Sequence, residues 1–304
     1  MNDGKVNWKG SLVAAVTPFT ADGAIDEKAF RDNLALLIGE GAHGLVVSGC
    51  TGESWAMTAD ERARLFRLAV DVAGRRVPVI AGTGTISTDA VIDLSRQAKA
   101  AGADGVMVLP PYYCMAGRRE IVEHYRAISA AVEHPILLYN VPRRTGFNLT
   151  PDVVEELAAL EWVVAVKESS NDFVQTEATV RRVGDRLLVF TGHSAERGVP
   201  AVLMGADGYV SSTESQIMGR EALAMYDLAT SGDVARAREV QLRALALDEL
   251  LKPIGTFPGN LKAAMNLLGR PGGYPRRPLL PLTPAQIGQV ENVLQRLNLT
   301  ATAA

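Results

Sequence analysis

Eight short apolar runs, each followed by a stretch with helical spacing, constrain this chain more than any other feature. The runs lie at residues 12–19, 44–49, 78–84, 105–111, 135–142, 163–169, 187–192 and 208–213. They are rich in Val, Ile and Leu, and they are apolar almost continuously instead of at every second position. That pattern suits parallel strands covered on both faces. Between them Leu65, Leu68, Ala69 and Val72 recur at helical spacing, as do Ile121, Tyr125, Ile128 and Val132. Thr58 with Glu61 three residues on has the form of a capping box. Thr150 before Pro151, and Thr283 before Pro284, each place a capping hydroxyl ahead of a proline suited to the first helical turn. Strand–helix units in this order predict an α/β fold, a closed (β/α)₈ TIM barrel in preference to an open doubly wound sheet.

After Thr213 the strands stop, and segments near 221–230, 233–251, 260–268 and 284–297 read as helices. The expected organisation is a catalytic barrel over residues 1–225 and a C-terminal helical extension over 226–304. A chain of 304 residues, 47% of them hydrophobic, has the length and the apolar content for that core. The net charge of −3 gives no electrostatic footprint for nucleic acid or an anionic membrane. The Arg75–Arg76, Arg118–Arg119 and Arg181–Arg182 pairs read as solvated helix ends. The run from Leu12 to Val16 is too short for a signal sequence or a membrane span. Two cysteines, Cys50 and Cys114, are too few for a disulfide scaffold. A soluble cytoplasmic protein without nucleic-acid or membrane partners is expected.

In a barrel of this kind chemistry gathers at the C-terminal ends of the strands. Those ends carry Thr17, the turn Gly49-Cys50-Thr51-Gly52-Glu53, Thr83, Tyr112-Tyr113, Tyr139, Lys167, Gly192-His193 and Ser211. Lys167 is the most informative of them. The other lysines (Lys5, Lys9, Lys28, Lys99, Lys252 and Lys262) fall in the N-terminal arm, in helices or in the extension, whereas Lys167 follows Val163-Val164-Ala165-Val166 within a strand. Desolvation there lowers the pKa and yields the neutral amine that attacks a ketone. The competing reading is a lysine that snorkels towards Glu168 or water. The glycines of the Gly49–Glu53 turn let backbone N–H groups approach an anion, and Thr51 adds a hydroxyl; together they suit a carboxylate, although ordinary strand-end turns look similar. Tyr139 is either a proton carrier beside the amine or an aromatic filling the barrel mouth. His43, His124, His134 and His193 show no metal-ligand spacing, and only His193, which closes the seventh strand, stays open as a site residue. No metal or organic cofactor is expected.

At these residues the sequence resembles the dihydrodipicolinate synthase and N-acetylneuraminate lyase superfamily of class I aldolases, over almost its whole length. The matching signatures are Gly49-Cys50-Thr51-Gly52-Glu53, Pro111-Tyr112-Tyr113, Tyr139-Asn140-Val141-Pro142, Val166-Lys167-Glu168, Gly205-Ala206-Asp207-Gly208 and Pro278-Leu279-Leu280-Pro281-Leu282. The resemblance implies that Lys167 forms a Schiff base with pyruvate and that Tyr139 is the general acid/base. It also implies that Thr51 binds the pyruvate carboxylate, that Val210 contacts pyruvate through its backbone, and that Gly192 lies in the wall near the second substrate. Tyr113 would enter a neighbouring subunit's site, so a homodimer or homotetramer is implied. Arg144 would grip the carboxylate of aspartate semialdehyde, as in the synthase branch; the competing reading is a structural arginine paired with a loop carboxylate.

Two departures stand out. Cys50 takes the place of the relay threonine, and Gly192-His193-Ser194 replaces the usual Gly-Asp-Asp. Both count against the synthase branch, but the motif from Tyr139 to Gly146 resembles it, and a 4-hydroxy-tetrahydrodipicolinate synthase-like reaction is the first expectation. Another 2-oxo acid aldolase or dehydratase, acting on a sugar acid or hydroxy-oxo acid, comes next, and a non-catalytic 2-oxo acid binding barrel is the reading from a different class. In lysine-inhibited synthases of the superfamily an effector site lies at the dimer interface behind the Tyr113 equivalent. At its matching positions this sequence has Trp55, Ala59, Arg62, Ile86 and Ala90, with Tyr112 retained.

Overall fold

A computed structural model describes residues 6–300. Its strands are β1 (Gly10–Ala14), β2 (Gly44–Val47), β3 (Val79–Gly82), β4 (Gly105–Val108), β5 (Ile136–Asn140), β6 (Val163–Glu168), β7 (Leu188–Thr191) and β8 (Gly208–Ser211). They pair in sequence order, all in parallel, and β8 returns to β1 to close the barrel.

Near-continuous apolarity has a direct cause here. Leu12, Ala14, Val46, Ile80 and Phe190 point into the barrel interior, while Val13, Leu45, Val47, Ala81 and Val189 pack outward against the helical layer. Every strand residue is thus covered from one side or the other, as the eightfold barrel requires. Helix Met225–Thr230 packs on β1 and on helix Ser194–Leu203, completing the outer ring beside β8. Helices Val234–Leu251, Gly259–Leu267 and Pro284–Arg296 then share a separate apolar cluster with Val16 and Ile217. Among the described residues no helix is long and apolar enough to cross a membrane.

The first strand corrects the sequence reading. It starts at Gly10 and ends at Ala14, so residues 15–19 lie beyond it. Val16 gives its amide to Gln216 Oε1 (3.0 Å) and its side chain to the extension cluster, and Phe19 forms isolated bridges with Ile25 and Tyr274. Ala15 still packs in the barrel's outer core and bonds to Val46 O, whereas the apolarity of Val16 serves the extension. Thr58 and Thr283 both form full capping boxes, with Glu61 and Gln286. Thr150 does not cap: its hydroxyl donates instead to Asp152 (2.5 Å).

Candidate active site

Parallel register sets Tyr139 of β5 beside Lys167 of β6, and Asn140 beside Glu168. Side chains alternate along a strand, so these pairs take opposite faces. Tyr139 joins the interior cluster with Ala165, Phe190 and Val210, and the Lys167 Nζ lies 4.2 Å from the centroid of its ring. Glu168 is engaged on the other face. Its carboxylate accepts from Asn140 Nδ2 (2.8 Å), Gln175 Nε2 (3.0 Å) and the Ser170 amide (2.5 Å). Lys167 therefore does not reach for Glu168, and among the described residues its amine has no hydrogen-bond or ion-pair partner.

Burial lowers the Lys167 amine to about 8; the neighbouring Cys50 opposes that shift, and Arg144 and Arg143 reinforce it. Burial also pushes the Tyr139 phenol well above its usual value, and the neighbouring Cys50 adds to the effect. The phenol consequently stays protonated near neutrality while a share of the amine is neutral.

A second buried lysine escaped the sequence reading, which placed Lys262 in the extension. Burial lowers it to about 8 as well. Its ammonium, however, pairs with the Glu53 carboxylate and donates to the carbonyls of Thr17 (2.7 Å) and Tyr274 (2.8 Å), so all three protons are used. Freedom from partners, more than burial, distinguishes Lys167. Lys5 lies outside the described residues.

After β2 the Gly49–Glu53 turn carries Thr51, which is buried. Glu53 N donates to Cys50 O and Ser54 N to Gly49 O, while the amides of Thr51 and Gly52 have no acceptor among the described residues. A Cβ on Gly52 would sit 3.1 Å from Ser48 N and 3.2 Å from Ala15 O, so the backbones approach there as closely as glycine permits. Gly192, just after β7, is under a similar constraint: its Cβ would fall 2.9 Å from Lys167 Cε and 1.8 Å from Ser169 Oγ. Val210 is buried on β8.

A cavity of about 250 Å³ opens beside these groups. Tyr139, Gly192, His193, Arg143 and Arg144 line part of it, and Ser194, Glu196, Glu214, Asp248, Lys252 and Asn260 are among its other lining residues. Arg144 projects from the short helix Pro142–Thr145, is exposed, and holds its guanidinium 5.4 Å from the Trp55 ring centroid. Among the described residues it pairs with no carboxylate, and the Trp55 ring is the contact seen for it. His193 is anchored through Nε2, which donates to the Ser169 carbonyl (3.2 Å), and burial lowers its pKa.

Glu214, Asp248, Lys252 and Asn260 were not foreseen. Glu214 lies three residues beyond Ser211, where the reading of strand ends stopped, and its buried carboxyl accepts from Ser194 Oγ. The other three come from the extension, and no local pattern marks them. Burial raises the carboxyls of Glu214 and Asp248. Lys167, Cys50, Thr51 and Val210 do not line the cavity, and neither does Tyr113, which is 90% exposed with a positive φ of 72°.

Comparisons with known proteins agree with this fold. The sequence model of the dihydrodipicolinate synthetase family matches residues 7–297. An uncharacterized DapA-like lyase of Rhizobium meliloti is 40% identical over 298 residues, covering 97% of this chain and 98% of its own. The 4-hydroxy-tetrahydrodipicolinate synthase of Moorella thermoacetica is 38% identical over 295 residues, 97% of this chain and 100% of its own. The chloride-inhibited dihydrodipicolinate synthase of Acinetobacter baumannii, solved in complex with pyruvate, superposes with a TM-score of 0.91 at 31% identity, covering 96% of this chain and 100% of its own.

Proposed function

This chain belongs to the dihydrodipicolinate synthetase family, a family of lyases, and from that membership we propose that it is a class I aldolase whose Lys167 forms a Schiff base with pyruvate. One observation carries the proposal: a buried, unpartnered amine with a pKa of about 8 lies 4.2 Å from the ring of a phenol that stays protonated. The neutral amine attacks the ketone carbon, and Tyr139 gives its proton to the carbinolamine hydroxyl, which leaves as water. The resulting iminium is an electron sink. Tyr139, now a phenolate, takes a proton from the pyruvate methyl, leaving an enamine that adds to an aldehyde. Cleavage of a larger 2-oxo acid is the reverse. Cys50, a neighbour of Tyr139, stands where the relay continues, and Tyr113 of a neighbouring copy extends it in a homodimer or homotetramer. Thr51 and the free amides of its turn receive the carboxylate, Val210 meets pyruvate through its backbone, and Gly192 leaves the amine room. No metal takes part. The setting is cytoplasmic.

For the second substrate the 38% identical Moorella synthase and the unpaired guanidinium of Arg144 favour aspartate semialdehyde, gripped by its carboxylate. A hydroxylated sugar acid or hydroxy-oxo acid is the second reading. It is favoured by the wall of Ser194, Glu214, Asp248 and Asn260 opposite the arginines, and by the thiol of Cys50 in the relay position. A binding protein without turnover would need neither a free buried amine nor the phenol beside it.

Treatment with pyruvate and borohydride should give one reduced adduct, located on Lys167 by peptide mass spectrometry, with Lys262 unlabelled and with EDTA making no difference. A label elsewhere, or none at saturating pyruvate, would overturn the proposal.

A further inference from the structure

The turn that carries Thr51 is fastened from outside the barrel sheet. Glu53, its last residue, has a left-handed φ of 54° and a side chain with no exposed surface. One carboxylate oxygen pairs with Lys262, and the other accepts from the Arg276 amide (2.9 Å). Lys262 in turn donates to Thr17 O, and the Thr17 hydroxyl donates to Gly52 O (2.8 Å), one residue after Thr51. Arg276 forks onto Glu61 with two bonds of 2.9 Å and donates to the carbonyls of Gly23 and Ala56. The ring of Phe19 lies under both cations, 4.6 Å from the Lys262 Nζ and 4.2 Å from the Arg276 guanidinium carbon. Residues 262 and 276 belong to the C-terminal segment, whereas Thr17 and Glu53 follow β1 and β2.

We infer that Glu53, Lys262 and Arg276 are positioning residues through which the C-terminal segment sets the carboxylate-binding turn at Thr51. The inference rests on the reading of that turn as the cradle for the pyruvate carboxylate. A buried ion pair adds little net stability compared with an apolar pair of the same volume, but its directional bonds fix where the chain runs. Here the directions matter because a non-glycine residue holds a left-handed conformation two residues from Thr51, and bonds from Lys262 and Arg276 to its side chain add to the local backbone bonds that hold it there. Displacing the turn by a fraction of an ångström spoils hydrogen bonds to a carboxylate while leaving the Lys167 amine, on β6, where it was.

The test compares trapping of two carbonyl probes on Lys167 by borohydride in the full-length protein. Pyruvate carries the carboxylate; hydroxyacetone matches it in size without the charge. In Glu53→Gln the pyruvate concentration for half-maximal trapping should rise about tenfold or more, while the saturating rate and the hydroxyacetone response stay within about threefold of the parent. Glu53→Gln/Lys262→Met, which removes both charges at once, should shift pyruvate the same way and supplies the measurement should the single variant fold poorly. Equal losses for the two probes, or a lower melting temperature with unchanged pyruvate dependence, would mean that the network is structural only and would overturn the inference alone. Failure of the parent protein to trap pyruvate would overturn the Schiff-base reading and this inference with it.

Discussion

Lys167 and Lys262 are both held near a pKa of 8 by burial, yet only Lys167 keeps its lone pair available. The chemistry of the site should therefore follow the titration of one group. Below about pH 8 the rate of pyruvate adduct formation should rise about tenfold per pH unit, and above it the rate should level off as the amine becomes fully neutral. A rate independent of pH between 7 and 9, roughly one unit on either side of that pKa, would show that the amine is not the titrating nucleophile. Arg144 is one of the cations that depress Lys167, so Arg144→Ala should move the midpoint of this profile upward. If the guanidinium also grips the second substrate's carboxylate, the same variant loses a charge-assisted bond of about 1.5–3 kcal/mol. The acceptor's KM should then rise roughly tenfold to a hundredfold, with that of pyruvate changing far less. Equal effects on the two substrates would return Arg144 to a structural role. Lys167 was legible in the sequence because its apolar flank is local. Lys262 was not, since its burial depends on Glu53, 209 positions away along the chain.

Whole strands were legible for the same local reason. Runs covered on both faces leave an uninterrupted apolar signature, and all eight fell where that signature lay. Residues 15–19 show its limit, since Val16 is apolar because the C-terminal helices cover it, and periodicity does not say which neighbour does the covering. Helix starts offer a matched comparison. Thr150 and Thr283 both precede a proline in the first helical turn, but only the Thr283 side chain accepts a bond from the helix backbone, that of Gln286 (3.4 Å). Thr283→Ala should cost about 1 kcal/mol by urea denaturation, and Thr150→Ala less than half as much. Equal costs would show that the Thr150–Asp152 bond substitutes for a cap.

The molecule as a whole leaves one rim of the barrel apolar and uncovered, with Trp55, Ile86, Tyr113 and Met115 all exposed. Tyr113, at 90% exposure, serves no group in its own subunit's cavity, in keeping with the proposal that it completes a neighbour's. The same rim is where lysine-inhibited members of the superfamily bind their effector, and its residues here oppose that ligand. Trp55 fills the space with an indole against which Arg144 stacks. Arg62 is buried, with its guanidinium spent on Ser48 Oγ (3.0 Å) and the Gly82 carbonyl (2.6 Å). An ammonium group needs acceptors, and neither the Ile86 nor the Ala90 side chain supplies one. Tyr112 alone cannot complete such a pocket. Lysine at millimolar concentration should therefore produce no saturable heat in calorimetry and leave turnover unchanged. Saturable binding accompanied by inhibition would overturn this expectation, and it would also strengthen the case for aspartate semialdehyde over a hydroxylated acceptor, because feedback by lysine is useful only to an enzyme that helps to make it.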